Sequence, residues 1–469
     1  MNGTPRGGLP GRRRAVRDRA PGPRPHQMPG LLRLAVSDPI RSMYQTVARY
    51  GDVVRLPLAP HRAIHLFARP EHVEHVLVDR AQRYGKAFTY RPLREWIGLG
   101  LITSDGELWE TQRRLIQPLF SHRRVENLRP LMVAAVERML EEWDARPDGT
   151  VVDATEEMSG LTLDIVGASL FGADLTGDRD SVYDAVETLQ DAVTKVIKNP
   201  LTWVSPRAAR RTSPGFRQWD RAKDTIDEVV ARVIDDRLAG RSPARERQDL
   251  LDALLEARHE DGSAISPVQL RDEIVTFFMA GHETSATCLA WTLYLLSTAP
   301  EARARLEEEV DTVLAGRPPT QEDTDKLVWT RAVLHESMRL FPPVWTSERD
   351  ATADDEVAGL PVREGDTVIV PPYLVHRHPG VWESPEAFDP GRFLPGAGEG
   401  RPKHAFIPFG GGKRGCVGNA FAMIEVVLAL TMITQRYRLD LLPGFEPVPK
   451  VTVTLRPSHE MAMTLRRRD

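Results

Sequence analysis

No stretch constrains the fold of this chain more than residues 266 to 298. Ser266-Pro267-Val268-Gln269 spells a capping box with proline at the first helical position. The helix it opens can run to Thr298, just short of Pro300. That is roughly 32 residues, or about 48 Å at 1.5 Å per residue. Apolar side chains surround much of it: Ile274, Val275, Phe277, Phe278, Met279, Leu289, Trp291, Leu293 and Leu295. A helix apolar all round has to be covered on every side, so the rest of the fold must wrap around it. Yet its middle reads Ala280-Gly281-His282-Glu283-Thr284. Glycine there costs about 1 kcal/mol relative to alanine, and a buried carboxylate needs a partner or a purpose. The helix alone leaves two readings open. One is a kink with an exposed polar patch. The other is a bulge over a bound group, with Gly281 admitting a ligand to the backbone while Glu283 and Thr284 handle protons.

The remaining text is mostly helical. Apolar residues recur at i, i+3, i+4 in 129–146, 155–172 and 224–240. A further helix over 323–341 ends before Pro342-Pro343. Short strands are expected at 52–58, 63–68, 356–362 and 366–373, an irregular Pro- and Gly-rich stretch at 377–412, and a last helix over 418–436. The fold class expected is mainly α with small, separate β-sheets (α+β), because strand and helix do not alternate. Residues 1–29 hold seven arginines, six prolines and one acid, so a disordered basic tail is expected there and a single domain over 30–469. Two cysteines exclude a disulfide framework and suit a reducing, cytoplasmic compartment. The net charge of −4 does not suggest a nucleic-acid binder. No apolar run reaches the ~18 residues of a membrane anchor, and a monomer is expected.

Neither His282-Glu283 nor His335-Glu336 has the second histidine of a zinc protease helix; Ala286 and Arg339 stand in its place. Cys288 reads as a small core residue. The remaining cysteine, Cys416, follows "FGGGKRG", in which Gly410, Gly412 and Gly415 spell the G-x-G-x-x-G of a dinucleotide-binding turn. Asp440 even stands near the place of a ribose-binding acid. But about 30 residues remain after it, too few for the βα units such a fold requires, and Pro408 interrupts the strand that would precede the turn. A thiolate reading uses more of the residues. The glycines let the loop aim N–H groups at the Cys416 sulfur, and the helix that follows favours an anion at its start. A lone thiolate suits one axial bond to an iron already held by a porphyrin.

Phe409-x-x-Gly412-x-Arg414-x-Cys416-x-Gly418 resembles, position for position, the haem-binding signature of the cytochrome P-450 superfamily. Three further motifs resemble that family in the same order: Ala280–Thr284, Glu336-x-x-Arg339 and Trp109-x-x-x-Arg113. The resemblance spans about residues 35 to 465. It implies haem b with Cys416 as axial ligand, and Phe409, Gly410, Gly418 and Ala280 beside the cofactor. Trp109, Arg113 and Arg414 would meet its propionates. It also implies a structural trio of Glu336, Arg339 and Arg392. Thr346 stands where many members carry a propionate-binding arginine; Arg349, His376 or Arg377 would replace it.

The activity implied is monooxygenation: O2 and two externally supplied electrons hydroxylate or epoxidise a lipophilic small molecule of terpenoid, polyketide, macrolactam or fatty acyl type. Glu283 and Thr284 would deliver protons. Rival readings are an electron-independent haem-thiolate rearrangement or dehydration, and a haem sensor. Electrons would come from a separate ferredoxin or flavodoxin with its reductase. Lys413, Arg114, Arg123 and Arg124 are either its docking surface or merely solvated charges. Substrate contacts carried over by position are Leu101, Ile102, Phe277, Ala280, Val344, Trp345 and Leu455, each of which could equally be core.

Overall fold

The computed structural model describes residues 21–59, 61–171, 179–198, 214–241 and 249–468. Its axis is the helix Pro267–Thr298, started by the Ser266 hydroxyl, which accepts the Gln269 N–H. The helix is continuous past Gly281. A Cβ on Gly281 would lie 3.0 Å from Cγ2 of Val166. The glycine therefore allows close packing against the helix Ala154–Phe171, and it also lines an internal cavity. The polar patch is not exposed. His282 and Glu283 are both buried, with His282 Nε2 2.8 Å from the Ser159 hydroxyl.

Helices Ala154–Phe171, Val328–Leu340, Asn419–Arg436 and Pro214–Leu238 pack around this axis, and His122–Asp144 lies against the helix 419–436. Their apolar stripes merge into one core that includes Trp143, Trp291, Leu334 and Leu428. The helix 328–340 begins later than its periodicity suggests, because Asp323 caps a separate short turn at Gln321–Thr324.

The sheets stand to one side. The main one has five strands in the order Val53–Ala59, Arg62–Phe67, Thr367–Val370, Ser347–Ala351 and Tyr84–Lys86. All neighbours are antiparallel except the second and third. The register of the last pair sets Lys86 directly opposite Arg349. A second sheet joins Val151–Asp153, Ala462–Arg467 and Tyr437–Leu441.

A helical turn at Pro25–Gln27 leads into the helix Met28–Ser37. Pro29 sits in its first turn, where no backbone N–H is needed. Residues 1–20 of the expected tail lie outside the described residues. Among the described residues no helix is long and apolar enough to cross a membrane.

Candidate active site

The loop 409–418 is folded by its own backbone. Gly410 and Gly412 take φ of +73° and +64°, a region open to glycine at little cost. The Gly410 N–H bonds Ile407 O at 3.0 Å, the Cys416 N–H bonds Phe409 O at 2.8 Å, and the Gly415 N–H bonds Gly412 O at 3.0 Å. A Cβ on Gly412 would stand 1.9 Å from the Leu77 carbonyl oxygen, so only glycine lets the loop lie on the segment His75–Asp79. The helix Asn419–Arg436 starts three residues after Cys416. Burial raises the Cys416 thiol above its ordinary pKa, while the Gly418 N–H and the Arg113 guanidinium pull the other way. Arg113 is tied to the same loop, donating to Gly415 O at 2.8 Å.

The Cys416 side chain is exposed, but to an internal cavity of about 750 Å³. Phe409, Gly410 and Gly418 line it beside the sulfur; Phe277, Ala280 and Thr284 line it from the central helix. Leu101, Ile102, Val344 and Trp345 also face it, as does Val417. The walls are mostly apolar, with one exception. Lys86, Arg349, Arg414 and Arg113 all reach the cavity. Lys86 and Arg349 are cross-strand partners, an arrangement that like charges destabilise. Burial, then Arg349 and Arg414, holds the Lys86 ammonium well below its ordinary pKa. Two acids oppose these four cations: Glu348, beside Arg349 on the same wall, and Asp105. Asp105 pairs with Arg414 and accepts the Lys86 backbone N–H at 2.6 Å. Arg414 also stacks on Trp109, 4.1 Å from the ring centroid. Thr346 lines the cavity with a buried hydroxyl that has no partner in the protein. A surplus of buried cations beside an orphaned hydroxyl describes a receptor for an anionic group.

On the central helix the Thr284 hydroxyl donates to Ala280 O at 2.6 Å. Glu283 is buried, and burial pushes its carboxyl above the usual range. One of its oxygens accepts the Thr454 hydroxyl at 2.6 Å. A carboxyl that holds its proton therefore sits next in sequence to a hydroxyl on the cavity wall.

The matching family model is that of cytochrome P450, and it covers residues 20–463. The chain belongs to this family. It is 35% identical to cytochrome P450 132 of Mycobacterium tuberculosis, over 90% of this chain and 91% of the other. It is 34% identical to cyclooctatin synthase of Streptomyces melanosporofaciens, over 87% of this chain and 88% of the other. Pentalenene oxygenase of Streptomyces avermitilis is 32% identical, over 87% and 89%. The chain is thus an oxidoreductase of the monooxygenase type, with the haem-thiolate iron of its family.

The residues of this P450 fit that cofactor: a sulfur facing the cavity, apolar walls, and a cationic cluster with an orphaned hydroxyl at one edge. Farther from the cavity, Glu336 and Arg339 are fully buried. Arg339 donates to both Glu336 oxygens, at 2.7 and 2.8 Å, and to the carbonyls of His376, Pro385 and Ala387. Arg392 Nε lies 3.5 Å from Glu336 Oε1. The trio pins the irregular stretch that precedes the cysteine loop.

Three expected positions fall elsewhere. Leu455 is buried in a small cluster with Val54, Leu66 and Tyr373, and Thr454 lines the cavity in its stead. Val451, Thr452, Val453 and Thr454 all line the cavity, so the lining comes from the turn before the strand Leu455–Pro457 and not from the strand itself. His376 accepts the Ile407 N–H at 2.8 Å, and Arg377 lies over the Tyr373 ring and pairs with Glu386. Neither reaches the cavity; Arg349 does. Sequence reasoning missed Lys86, which carries no motif.

It also missed the acids that hold loop 98–104. Asp272 Oδ2 accepts the Leu99 N–H at 2.8 Å, and Glu273 Oε2 accepts the Leu101 N–H at 3.0 Å. A Cβ on Gly98 or Gly100 would strike the Asp272 carboxylate or the Thr276 hydroxyl, at 2.1 and 2.2 Å. Two glycines and two acids thereby seat Leu101 against the cavity. Burial pushes the Glu273 carboxyl up to about 8.

Proposed function

We propose that this cytochrome P450 hydroxylates or epoxidises a lipophilic small molecule, terpenoid in type, with O2 and two electrons from a separate redox protein. The carrying observation is a buried acid, Glu283, next in sequence to Thr284, both on the wall of a mostly apolar cavity that Cys416 also lines. A rearrangement without external electrons has no need of proton delivery, and neither has a sensor. The relatives named for cyclooctatin and pentalenene oxidation support a terpenoid.

Haem b would be held by the Cys416 sulfur and would supply the activation of O2. Lys86, Arg349 and Arg414 would hold its carboxylates, and the Thr346 hydroxyl would add a donor. The Gly418 N–H and the Arg113 guanidinium favour the anionic sulfur and offset part of the larger effect of its burial. Glu283 holds a proton at its buried carboxyl, and the Thr284 hydroxyl passes it into the cavity. Leu101, Ile102, Phe277, Val344 and Trp345 exclude water and orient an apolar substrate. Lys413, Arg123 and Arg124 are exposed, and Arg114 is exposed opposite Glu260. These form the docking face for an acidic ferredoxin or flavodoxin.

The test is a reduced carbonyl difference spectrum, then spin-shift titration with a terpenoid panel, then turnover with and without ferredoxin, reductase and NAD(P)H. Cys416→Ser should abolish the red-shifted band. A persistent band removes the thiolate assignment, and product formed without electrons removes the monooxygenase reading.

A further inference from the structure

Glu283 is not the only buried acid joined to the cavity wall. Ser285, next after Thr284, also lines the cavity. Its hydroxyl donates to Oε2 of Glu425 on the helix Asn419–Arg436. Both residues are buried, and the other Glu425 oxygen has no partner in the protein. Phe421, Ala422 and Val426 of the same helix line the cavity as well. At 3.6 residues per turn, positions 283 and 285 lie about 100° to either side of Thr284. Thr284 is thus flanked by two buried acids, each joined to a cavity-lining hydroxyl: Glu283 to Thr454, and Glu425 to Ser285.

A carboxylate with no cation beside it is costly to bury, and such a group keeps its proton instead. Burial pushes the Glu425 carboxyl up to about 8, and the only influence opposing it is the Ser285 hydroxyl. Its ionisable neighbour is Cys288, about one turn along the central helix. Burial above all holds that thiol up at about 12, so it offers no thiolate to take the proton. Proton demand gives the second acid a use. In monooxygenation a substrate RH, O2, two electrons and two protons give ROH and water. Glu283 holds one of those protons. A tie between two helices would be served equally well by an uncharged amide, which has no acid proton to give.

We propose that Glu425 holds the second proton of each turnover and that Ser285 passes it into the cavity. This rests on the monooxygenase reading above. Glu425 gives its proton to Ser285 Oγ as the Ser285 hydroxyl gives its own to a basic oxygen in the cavity. The carboxylate left behind regains a proton from a hydronium ion of the cavity water by the reverse path. Infrared spectroscopy of the haem-loaded enzyme at pH 7 tests this without substrate. The difference between parent and Glu425→Gln should contain the C=O band of one protonated carboxyl. In D2O that band should shift promptly in the parent, about tenfold more slowly in Ser285→Ala, and at the parental rate in Ser285→Thr. Turnover is then measured with NAD(P)H, ferredoxin, its reductase and the terpenoid that gives the largest spin shift. Glu425→Gln keeps an acceptor for Ser285, so a purely structural tie would leave product per NAD(P)H unchanged. Loss of a proton donor should lower it by roughly tenfold, short of the ~10²-fold of a sole donor, with the balance recovered as peroxide. Absence of the carboxyl band overturns the proposal. So does exchange that Ser285→Ala leaves as fast, or electron-dependent product at the parental ratio in Glu425→Gln. Product formed by the parent without electrons removes the monooxygenase reading, and this proposal with it.

Discussion

Glu273 should weaken the fold that it helps to arrange, and the weakening should grow with pH. The side chain is fully buried, with one oxygen on the Leu101 N–H and the other without a partner in the protein. Burial moves its pKa from 4.5 to about 8. Below pH 4.5 both folded and unfolded chains carry the proton, and the group has no effect. Between these values the unfolded chain ionises while the folded one keeps its proton. Stability then falls by about 1.4 kcal/mol for each pH unit, reaching roughly 3 kcal/mol at pH 7. Glu273→Gln keeps the oxygen that accepts from Leu101 and removes the titration. The variant should exceed the parent by about 1 kcal/mol at pH 5, roughly 3 kcal/mol at pH 7 and about 4–5 kcal/mol at pH 8.5. Guanidinium unfolding at those three values, followed by far-UV circular dichroism, measures the difference. A gap that stays constant across pH would refute the reasoning, as would a variant weaker than the parent throughout.

Glu336→Ala strands Arg339 in a dry site and should cost about 3–5 kcal/mol, read as an earlier unfolding midpoint; a loss under ~1 kcal/mol would show the trio to be dispensable. Gly412→Ala meets the Leu77 carbonyl at 1.9 Å with φ at +64°; it should lower haem occupancy in the purified protein severalfold, measured by pyridine haemochrome, and full occupancy would contradict the contact. Thr284→Ala keeps the Glu283–Thr454 bond and should bind haem normally but divert NAD(P)H into peroxide. Unchanged product per NAD(P)H consumed would rule out its part in proton delivery.

The long helix could be read in the sequence to its ends, because its cap and its terminal proline are local signals. The cysteine loop could be read because its geometry is built from neighbours, with glycines at two positive-φ positions. What stayed illegible depends on distant pieces of chain meeting. Lys86 and Arg349 become partners only through the register of two short strands more than 260 residues apart. Gly281 lines the cavity as its place in the helix suggested, but nothing in the text announces its second contact, Val166 on a neighbouring helix. Leu455 was misassigned because the turn 452–454, and not the strand after it, meets the cavity. Asp272 and Glu273 looked like ordinary helix charges until loop 98–104 came down on them.

The facing cations at the sheet edge have a consequence for assembly of the protein. Tyr84–Lys86 is an outermost strand of three residues, and its last member is pressed against a like charge. An anionic group received between Lys86 and Arg349 would relieve that repulsion. Binding at the cavity edge would then be felt as firmer closure of the sheet margin.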